Sequence, residues 1–380
     1  MFDQELYENN VENLNKVVNV YQKDHLFVEA TPMTVSFLVT DRCCLRCKHC
    51  FNNRTRKEEF ERARNELTID EIGRMSKSMG HFSSALLCGG EPFLRDDLHE
   101  IVKTFRMNNQ TQWFSSSTNG QLTDRIIKQM ELISRQYKHH RYTMNFSFEG
   151  FEQENDEVRG KGTFQKSIET WKECKRLNAI YGNISQNIVV TMNSINQATL
   201  PAFFKWAQEH LQPERIMMLL VRQAPRAGAY LKEVDIKNYE AAKDILNSMT
   251  LNGENGDCNS PLGYIPAAQY YYTLRTLRTG KRTFMCYAGK HGVFIDYDGE
   301  VNPCEVLADG QCNNEPISMG NLRDYDMDFA KLWNSKPAQD VKQLVNRHEV
   351  CKDCTHETEG ILPSVYFEPN FFGRESTELI

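Results

Sequence analysis

The sequence predicts an α/β fold of parallel βα units followed by a small cysteine-rich C-terminal domain. Two observations lead to this prediction. Six β-rich runs alternate with helical patterns between residues 33 and 222, and cysteines concentrate at residues 43–50 and 286–354. The alternation is typical of parallel βα units, in either a partial barrel or an open doubly wound sheet.

The predicted strands begin near residues 33, 83, 111, 142, 187 and 215. Helical periodicity predicts helices over 68–79, 96–107, 121–133, 163–178, 197–210 and 236–249. Thr68 and Asp96 are the expected N-caps of two of them. Asp298-Gly299 lies between two short apolar runs and predicts a tight hairpin.

These patterns divide the chain into five predicted segments. A helical lead segment comes first, then the βα core, a helical insertion or linker, the cysteine-rich domain and a tail. Their expected bounds are 1–31, 32–225, 226–282, 283–360 and 361–380.

Composition excludes several classes of function. The chain has 380 residues, with 45 Lys plus Arg against 51 Asp plus Glu, so its net charge is −6. Nucleic acids and anionic membranes call for a basic surface, so we expect neither as a partner. The sequence has no apolar run long enough to span a bilayer, and MFDQELYENN lacks the features of a signal peptide. We therefore expect a cytoplasmic location, where clustered cysteines indicate metal ligands rather than disulfides.

The first cluster is Cys43-x3-Cys47-x2-Cys50, in a polar and cationic segment directly after the first strand. A buried helix face would not carry so many charges, which argues against a purely structural role. A structural zinc site closes with four ligands, and this segment supplies three regularly spaced thiolates. Three thiolates can hold three irons of a 4Fe-4S cluster and leave the fourth iron open for a ligand.

This spacing resembles the signature of the radical S-adenosylmethionine (radical SAM) superfamily. Gly89-Gly90-Glu91-Pro92 resembles its GGE motif, and Ser117–Gly120, Ser147–Gly150 and Arg159-Gly160 are similar to further runs of the family. The resemblance implies a partial (β/α)6 barrel and a cluster held by Cys43, Cys47 and Cys50. It also implies that S-adenosylmethionine is bound by a set of residues in the motif loops: Gly89, Gly90, Glu91, Pro92, Asn119, Ser147 and Asn193.

The positions of these motifs also predict a functional site, without reference to any family. The cysteine triplet, GGEP, STNG, SFEG, Asn193 and Arg222 each follow a different predicted strand. The C-terminal ends of parallel strands are where α/β folds build their sites.

The second cysteine set is Cys286-x12-Gly299-x4-Cys304 followed by Cys351-x2-Cys354. It resembles the twitch form of the SPASM auxiliary-cluster domain, which implies a second, fully ligated 4Fe-4S cluster. The longer SPASM arrangement has further cysteines after the CxxC, and the tail here has none. Zinc with four cysteine ligands remains the alternative for this set.

The resemblance implies reductive cleavage of S-adenosylmethionine and hydrogen abstraction from a substrate by the 5'-deoxyadenosyl radical. A fully ligated auxiliary cluster favours an electron-accepting role, and therefore net oxidation of a small hydroxylated molecule such as a sugar or aminocyclitol. The cysteine pattern is most similar to the 2-deoxy-scyllo-inosamine dehydrogenase type. An electron donor such as flavodoxin or ferredoxin is implied, and no catalytic residue is assigned.

Three other functions stay open. One is crosslinking or epimerisation of a ribosomally made peptide, and another is epimerisation of a sugar. The third is a non-catalytic binding protein with zinc at one or both cysteine sites.

Overall fold

The structure is a computed structural model that describes residues 32–52, 55–138, 140–255, 265–308 and 317–356. The predicted lead segment 1–31, the tail 361–380, Cys258 and Cys312 lie outside the described residues. The core of the described chain is one mixed sheet with helices packed against it.

Nine strands form this sheet, in the order β6-β5-β4-β3-β2-β1-β7-β8-β9. Strands β1 to β7 pair in parallel, and β8 and β9 add antiparallel pairs at one edge. Their bounds are Thr34–Thr40, Ser84–Gly89, Trp113–Thr118, Tyr142–Ser147, Ile184–Met192, Arg215–Leu220, Gly292–Ile295, Glu300–Asn302 and Gly320–Asn321.

The described helices connect consecutive strands or follow the last ones. Helices α1 to α7 lie between β1 and β6, and α8 to α12 follow β6. Their bounds are Arg56–Arg62, Ile69–Met79, Leu98–Asn109, Thr123–Gln136, Glu152–Arg159, Thr163–Tyr181, Leu200–Leu211, Ile236–Leu251, Ile265–Thr279, Glu305–Ala308, Phe329–Trp333 and Lys336–Leu344. None of these described helices is both long and apolar enough to cross a bilayer.

The structure confirms the α/β class, the six parallel strands and the six predicted helices. Helices α1 and α5 were not predicted, because RKEEFER and EQENDEVR are mostly charged and have little apolar periodicity. The Asp96 cap is wrong. Asp97 occupies the cap position of α3, and the Asp96 side chain instead pairs with Arg125 at 2.8 Å.

The hairpin at Asp298-Gly299 is confirmed, with a longer connection than two residues. Strand β7 ends at Ile295 and β8 begins at Glu300, so four residues join them. Gly299 has φ +90°, and a Cβ there would lie 3.3 Å from Leu67 Cδ2. Glycine is therefore required both by the backbone conformation and by the packing of the turn on the core.

We expect Thr68→Ala to lower the free energy of unfolding by about 1 kcal/mol. Thr68 Oγ1 accepts from the Glu71 N–H, and the Glu71 carboxylate accepts from the Thr68 N–H, which closes the first turn of α2. Urea unfolding measures the change. Asp96→Ala is the control, and we expect it to stay within about 0.5 kcal/mol of wild type because this exposed side chain caps no helix. Equal losses in both variants would contradict the capping role.

Candidate active site

The structure places all six sequence motifs at the C-terminal ends of neighbouring strands. The cysteine triplet follows β1, GGEP follows β2, and STNG and SFEG follow β3 and β4. Asn193 and Arg222 follow β5 and β6. Because these strands are parallel and adjacent, the motifs share one edge of the sheet.

The loop that carries the first cysteines is held by contacts from three parts of the chain. The Arg56 guanidinium donates to the carbonyls of Cys43 and Cys44. The Lys48 N–H donates to the Val158 carbonyl at 2.8 Å, and the Arg226 N–H donates to the Cys50 carbonyl at 2.9 Å. The fold therefore fixes the backbone of the triplet from α1, α5 and the segment after β6.

The two glycines of GGEP let β2 approach this loop closely. A Cβ at Gly89 would lie 2.5 Å from the Thr40 carbonyl oxygen, and one at Gly90 would lie 2.3 Å from the Arg42 carbonyl oxygen. The N–H groups of Gly90 and Glu91 donate to those two carbonyls at 2.9 and 2.8 Å. In this structure the glycines serve to dock the cysteine loop onto the end of β2.

Glu91 is a buried carboxylate beside the cysteine loop. It is 1% exposed, and it accepts from Thr118 Oγ1 at 3.0 Å and from the Asn119 N–H at 2.8 Å. Burial raises the pKa of Glu91 to about 8, against the effect of these hydrogen bonds. A cationic amino group is the partner that such a carboxyl group lacks, which fits its predicted contact with the methionine moiety.

We expect Glu91 to make the ligand-free protein less stable as the pH rises from about 4.5 to about 8. Its pKa is higher in the folded chain than in the unfolded chain, so the folded state binds more protons across this window. Glu91→Gln cannot ionise and should remove that loss. Urea unfolding at several pH values measures how the free energy of unfolding depends on pH. Glu169→Gln, which changes an exposed residue of α6, is the control. The prediction fails if Glu91→Gln keeps the pH slope of wild type.

The other residues predicted to bind S-adenosylmethionine differ in the contacts that their side chains already make. Asn119 Nδ2 lies 3.2 Å from Cys44 Sγ and 3.7 Å from Cys43 Sγ, so Asn119 contacts the cysteine loop. Ser147 is half-buried at the end of β4. The Asn193 amide bonds within its own turn, to the Thr191 carbonyl and the Ile195 N–H. A contact between the Asn193 side chain and a cofactor stays a prediction. It would require the amide to give up those two hydrogen bonds.

A buried ion pair lies against Cys47. Arg159 donates to Glu149 Oε1 through Nε at 3.0 Å and Nη2 at 2.6 Å, and its Nη1 lies 3.9 Å from Cys47 Sγ. Burial raises the pKa of Glu149 to about 7, and the guanidinium opposes that rise. His49 Nε2 lies 3.7 Å from Glu149 Oε1, and burial lowers the pKa of His49 to about 3, so its imidazole is neutral. A compensated charge pair thus lies against the thiol, and a neutral ring lies beside its carboxylate.

The second cysteine set converges in a separate pocket. Cys286, Cys304, Cys351 and Cys354 line it, and all four are free thiols. The surrounding side chains are apolar except for Arg282 and His356. Residues up to 68 positions apart in the sequence are therefore brought together, as the resemblance to the auxiliary-cluster domain implied.

Burial keeps the thiols of Cys286 and Cys354 protonated in the absence of a metal. It raises the pKa of Cys286 to about 12 and that of Cys354 to about 11, while Arg282 acts against the rise at both. Across the described ranges, no group of three or more His, Cys, Asp or Glu is arranged to hold a single metal ion. Four converging thiols match the donor set of an iron-sulfur cluster, whose irons deprotonate them on binding.

Two family models match the regions that carry the two cysteine sets. Residues 37–207 match the radical SAM superfamily, and residues 286–355 match the SPASM iron-sulfur cluster-binding domain. The chain therefore contains a radical SAM domain and a SPASM domain. The radical SAM domain implies a 4Fe-4S cluster and S-adenosylmethionine, and the SPASM domain implies auxiliary iron-sulfur binding.

Known proteins resemble this chain in sequence and in fold. Fe-coproporphyrin III synthase of Methanosarcina barkeri is 27% identical over 216 residues, which are 56% of this chain and 50% of that protein. The chain spans about half the length of the curated relatives it matches. The structure of anSMEcpe with bound AdoMet has a TM-score of 0.58 at 18% identity, over 92% of this chain and 94% of that one. Streptococcus suis SuiB bound to S-adenosylmethionine has a TM-score of 0.60 at 15% identity, over 86% and 72%.

These comparisons confirm the superfamily and the SPASM domain, and the solved structures support the fold. A specific likeness to the 2-deoxy-scyllo-inosamine dehydrogenase type is not shown, and stays a prediction. The family model that matches residues 286–355 is the SPASM domain, and one closed cluster held by the four cysteines in this range stays a prediction.

A cavity of about 340 Å³ lies between the end of β6 and the SPASM cysteines. Aliphatic side chains form much of its wall, and Cys354 belongs to it as well as to the auxiliary pocket. Its polar lining residues are Arg222, Gln223, Lys232, Asp353 and Thr355. Arg222 also pairs with Glu305 at 3.5 Å, which links β6 to the start of α10.

Sequence reasoning found the cysteines and the motif loops and missed the residues that support them. Glu149 and Arg159 lay inside motifs, but nothing in the sequence indicated that they pair. Arg282 and Asn346 lie outside every motif, and no sequence signal marked them. Of the cavity's polar residues, Arg222 alone was expected at the site, from its position after the sixth strand.

Proposed function

We propose that this radical SAM enzyme oxidises a small hydroxylated molecule, such as a sugar or an aminocyclitol, in the cavity between the end of β6 and the auxiliary cysteines. The observation that carries the proposal is the shared position of Cys354, which lines both the auxiliary pocket and the cavity. A substrate there lies against a ligand of the auxiliary site, within reach of direct electron transfer.

The cavity suits a polar substrate of modest size. Its volume of about 340 Å³ is at the lower end for small-molecule sites. Arg222, Gln223, Lys232 and Thr355 supply hydrogen-bond donors, and Asp353 supplies a carboxylate acceptor. Hydroxyl groups need both donors and acceptors, and the carboxylate also suits the ammonium group of an aminocyclitol.

When bound, the clusters and S-adenosylmethionine would supply an electron, abstraction of one hydrogen atom from the substrate, and a one-electron acceptor. The residues described above divide the remaining tasks. Cys43, Cys47 and Cys50 hold the open cluster, and Glu91 takes the amino group of S-adenosylmethionine. The four SPASM cysteines hold the acceptor of the second electron. The hydroxyl proton goes to Asp353, which completes a two-electron, two-proton oxidation to a carbonyl.

Radical modification of a peptide, by crosslinking or epimerisation, is the second candidate. The aliphatic part of the cavity wall, which includes Leu220, Val234 and Leu277, favours an apolar side chain over a polyol. Among proteins of similar fold, SuiB has been solved with its precursor peptide SuiA bound. A peptide side chain in the cavity would leave its backbone outside.

The test uses the anaerobically reconstituted enzyme with dithionite and S-adenosylmethionine. Sugars and aminocyclitols carrying deuterium on the carbinol carbon are compared with short peptides deuterated at Cα and Cβ. We expect deuterium to move into 5'-deoxyadenosine from a carbinol carbon, with one carbonyl product per molecule cleaved. Transfer from peptides alone would replace oxidation with the second candidate. Transfer from a carbinol followed by a configurational change without oxidation would indicate epimerisation.

A further inference from the structure

A cluster in the auxiliary pocket would need a nearby positive charge to accept an electron, and the apolar walls of the pocket do not supply one. A 4Fe-4S cluster with four thiolate ligands is anionic, and accepting an electron adds another negative charge. An apolar, low-dielectric surrounding opposes that step, so net charge and hydrogen bonding around a cluster govern its reduction potential. A buried acceptor therefore needs a positive charge close to its ligands.

Arg282 is placed to supply this charge. It lines the pocket together with the four cysteines, and its guanidinium carbon lies 5.4 Å from the centre of the Phe284 ring. Its side chain donates to Asn346 Oδ1. Among the residues that the structure describes, no carboxylate forms an ion pair with Arg282, so its charge is not compensated.

The other arginines near the cysteines differ in this respect. Arg159, beside Cys47, forms a buried ion pair with Glu149, in which two of its nitrogens donate to one carboxylate oxygen. Arg222, beside the cavity, pairs with Glu305 at 3.5 Å. The positive charge beside Cys47 is therefore cancelled by Glu149, whereas Arg282 has no carboxylate partner among the described residues.

Asn346 ties this charge to a cysteine ligand. Its Oδ1 accepts from the Cys286 N–H at 2.9 Å, and its Nδ2 donates to the Cys286 carbonyl at 2.9 Å. Asn346 has φ +74°, a left-handed conformation that asparagine tolerates better than most residues. The Arg282 N–H also donates to the Lys352 carbonyl, between the two cysteines of the CxxC. The arginine is thus anchored to both halves of the ligand set.

We propose that Arg282, oriented by Asn346, sets the reduction potential of the auxiliary site high enough for it to accept an electron. This inference rests on the proposed oxidation and identifies the residue that makes the auxiliary site an acceptor. The residue acts through its charge on the cluster, so its effect is measured as a potential, separately from turnover.

The experiment is an EPR-monitored redox titration of the full chain with Cys43, Cys47 and Cys50 replaced by alanine, which leaves one cluster to titrate. Iron and sulfide are counted first. We expect Arg282→Gln to lower the midpoint so that electron acceptance becomes about tenfold less favourable, which is 59 mV for a one-electron couple. Arg282→Lys keeps the charge and should stay near wild type. Lys281→Gln removes an adjacent exposed charge, outside the residues that line the pocket, and should have no effect.

Asn346→Asp is the second variant, because it places a carboxylate against the guanidinium without removing it. We expect a shift in the same direction as for Arg282→Gln, and this variant decides the matter if Arg282→Gln fails to hold four irons. Unchanged midpoints, or equal shifts for Arg282→Gln and Arg282→Lys, would overturn the proposal. Zinc in place of iron would overturn the electron-acceptor role itself. A shifted midpoint in an enzyme that performs no oxidation would sustain the role of Arg282 and remove the proposed function.

Discussion

Replacing Cys43, Cys47 and Cys50 together with alanine should abolish cleavage of S-adenosylmethionine and lower the iron content from about eight to about four per chain. These three thiols lie on one loop after β1, and the SPASM thiols lie in a separate pocket. Loss of the first cluster therefore leaves the second with its complete ligand set. Anaerobic iron and sulfide analysis measures the first effect, and dithionite-driven formation of 5'-deoxyadenosine measures the second.

Cys44→Ala is the matched control for this experiment. Cys44 is next to Cys43, and its thiol lies closer to Asn119 Nδ2 than that of Cys43, at 3.2 Å against 3.7 Å. The x3-x2 spacing nevertheless assigns the ligand to Cys43, so Cys44→Ala should keep both iron and cleavage. A variant that loses iron at Cys44 while Cys43→Ala keeps it would show that the ligand assignment is wrong.

Arg159→Met should lower the free energy of unfolding by about 3–5 kcal/mol at pH 8, because it leaves the Glu149 carboxylate buried without its partner. Glu149 is fully buried, and Arg159 is 8% exposed. The loss should be smaller at pH 5.5. The pKa of Glu149 is raised to about 7 in the folded wild type, and without the guanidinium it rises further, so protonation removes the unpaired charge. Urea unfolding of the cluster-free protein at both pH values measures the difference.

Two variants separate the charge effect from simple loss of packing. The double variant Arg159→Met, Glu149→Gln removes both charges and should recover part of the loss at pH 8. Arg141→Met breaks an exposed pair with Glu214 and should cost less than about 1 kcal/mol. If the double variant is as unstable as Arg159→Met at both pH values, the ion pair is not the cause.

The features that sequence predicted well are those with local signals. The triplet, GGEP and the six strand ends depend on residues that are close in sequence, and the alternation of strands and helices placed them at one edge of the sheet. The parallel pairing of β7 with β1 could not be predicted in this way. It joins Thr34–Phe37 to Gly292–Ile295, more than 250 residues away, through a strand of four residues.

Pairing between polar side chains likewise could not be predicted from the sequence. The Glu149–Arg159 pair depends on how α5 returns to the end of β4, and the Arg282–Asn346 contact depends on how the SPASM segment folds back on itself. The Asp96 prediction is another example, at the N-terminus of α3. Asp96 has the residue type of a cap, but the first turn begins one residue later and its side chain pairs with Arg125.

The pairing of β1 with β7 also determines how this enzyme can be divided for engineering. The radical SAM match ends at residue 207 and the SPASM match begins at residue 286, but β7, β8 and β9, which follow residue 286, extend the same sheet beyond β1. A truncated radical SAM domain ending before β7 would expose the edge of β1, a row of unpaired backbone groups that promotes aggregation. A SPASM domain transplanted from a relative would have to reproduce the register Thr34↔Gly292 to Phe37↔Ile295, so exchange between enzymes is governed by a strand interface rather than by a linker.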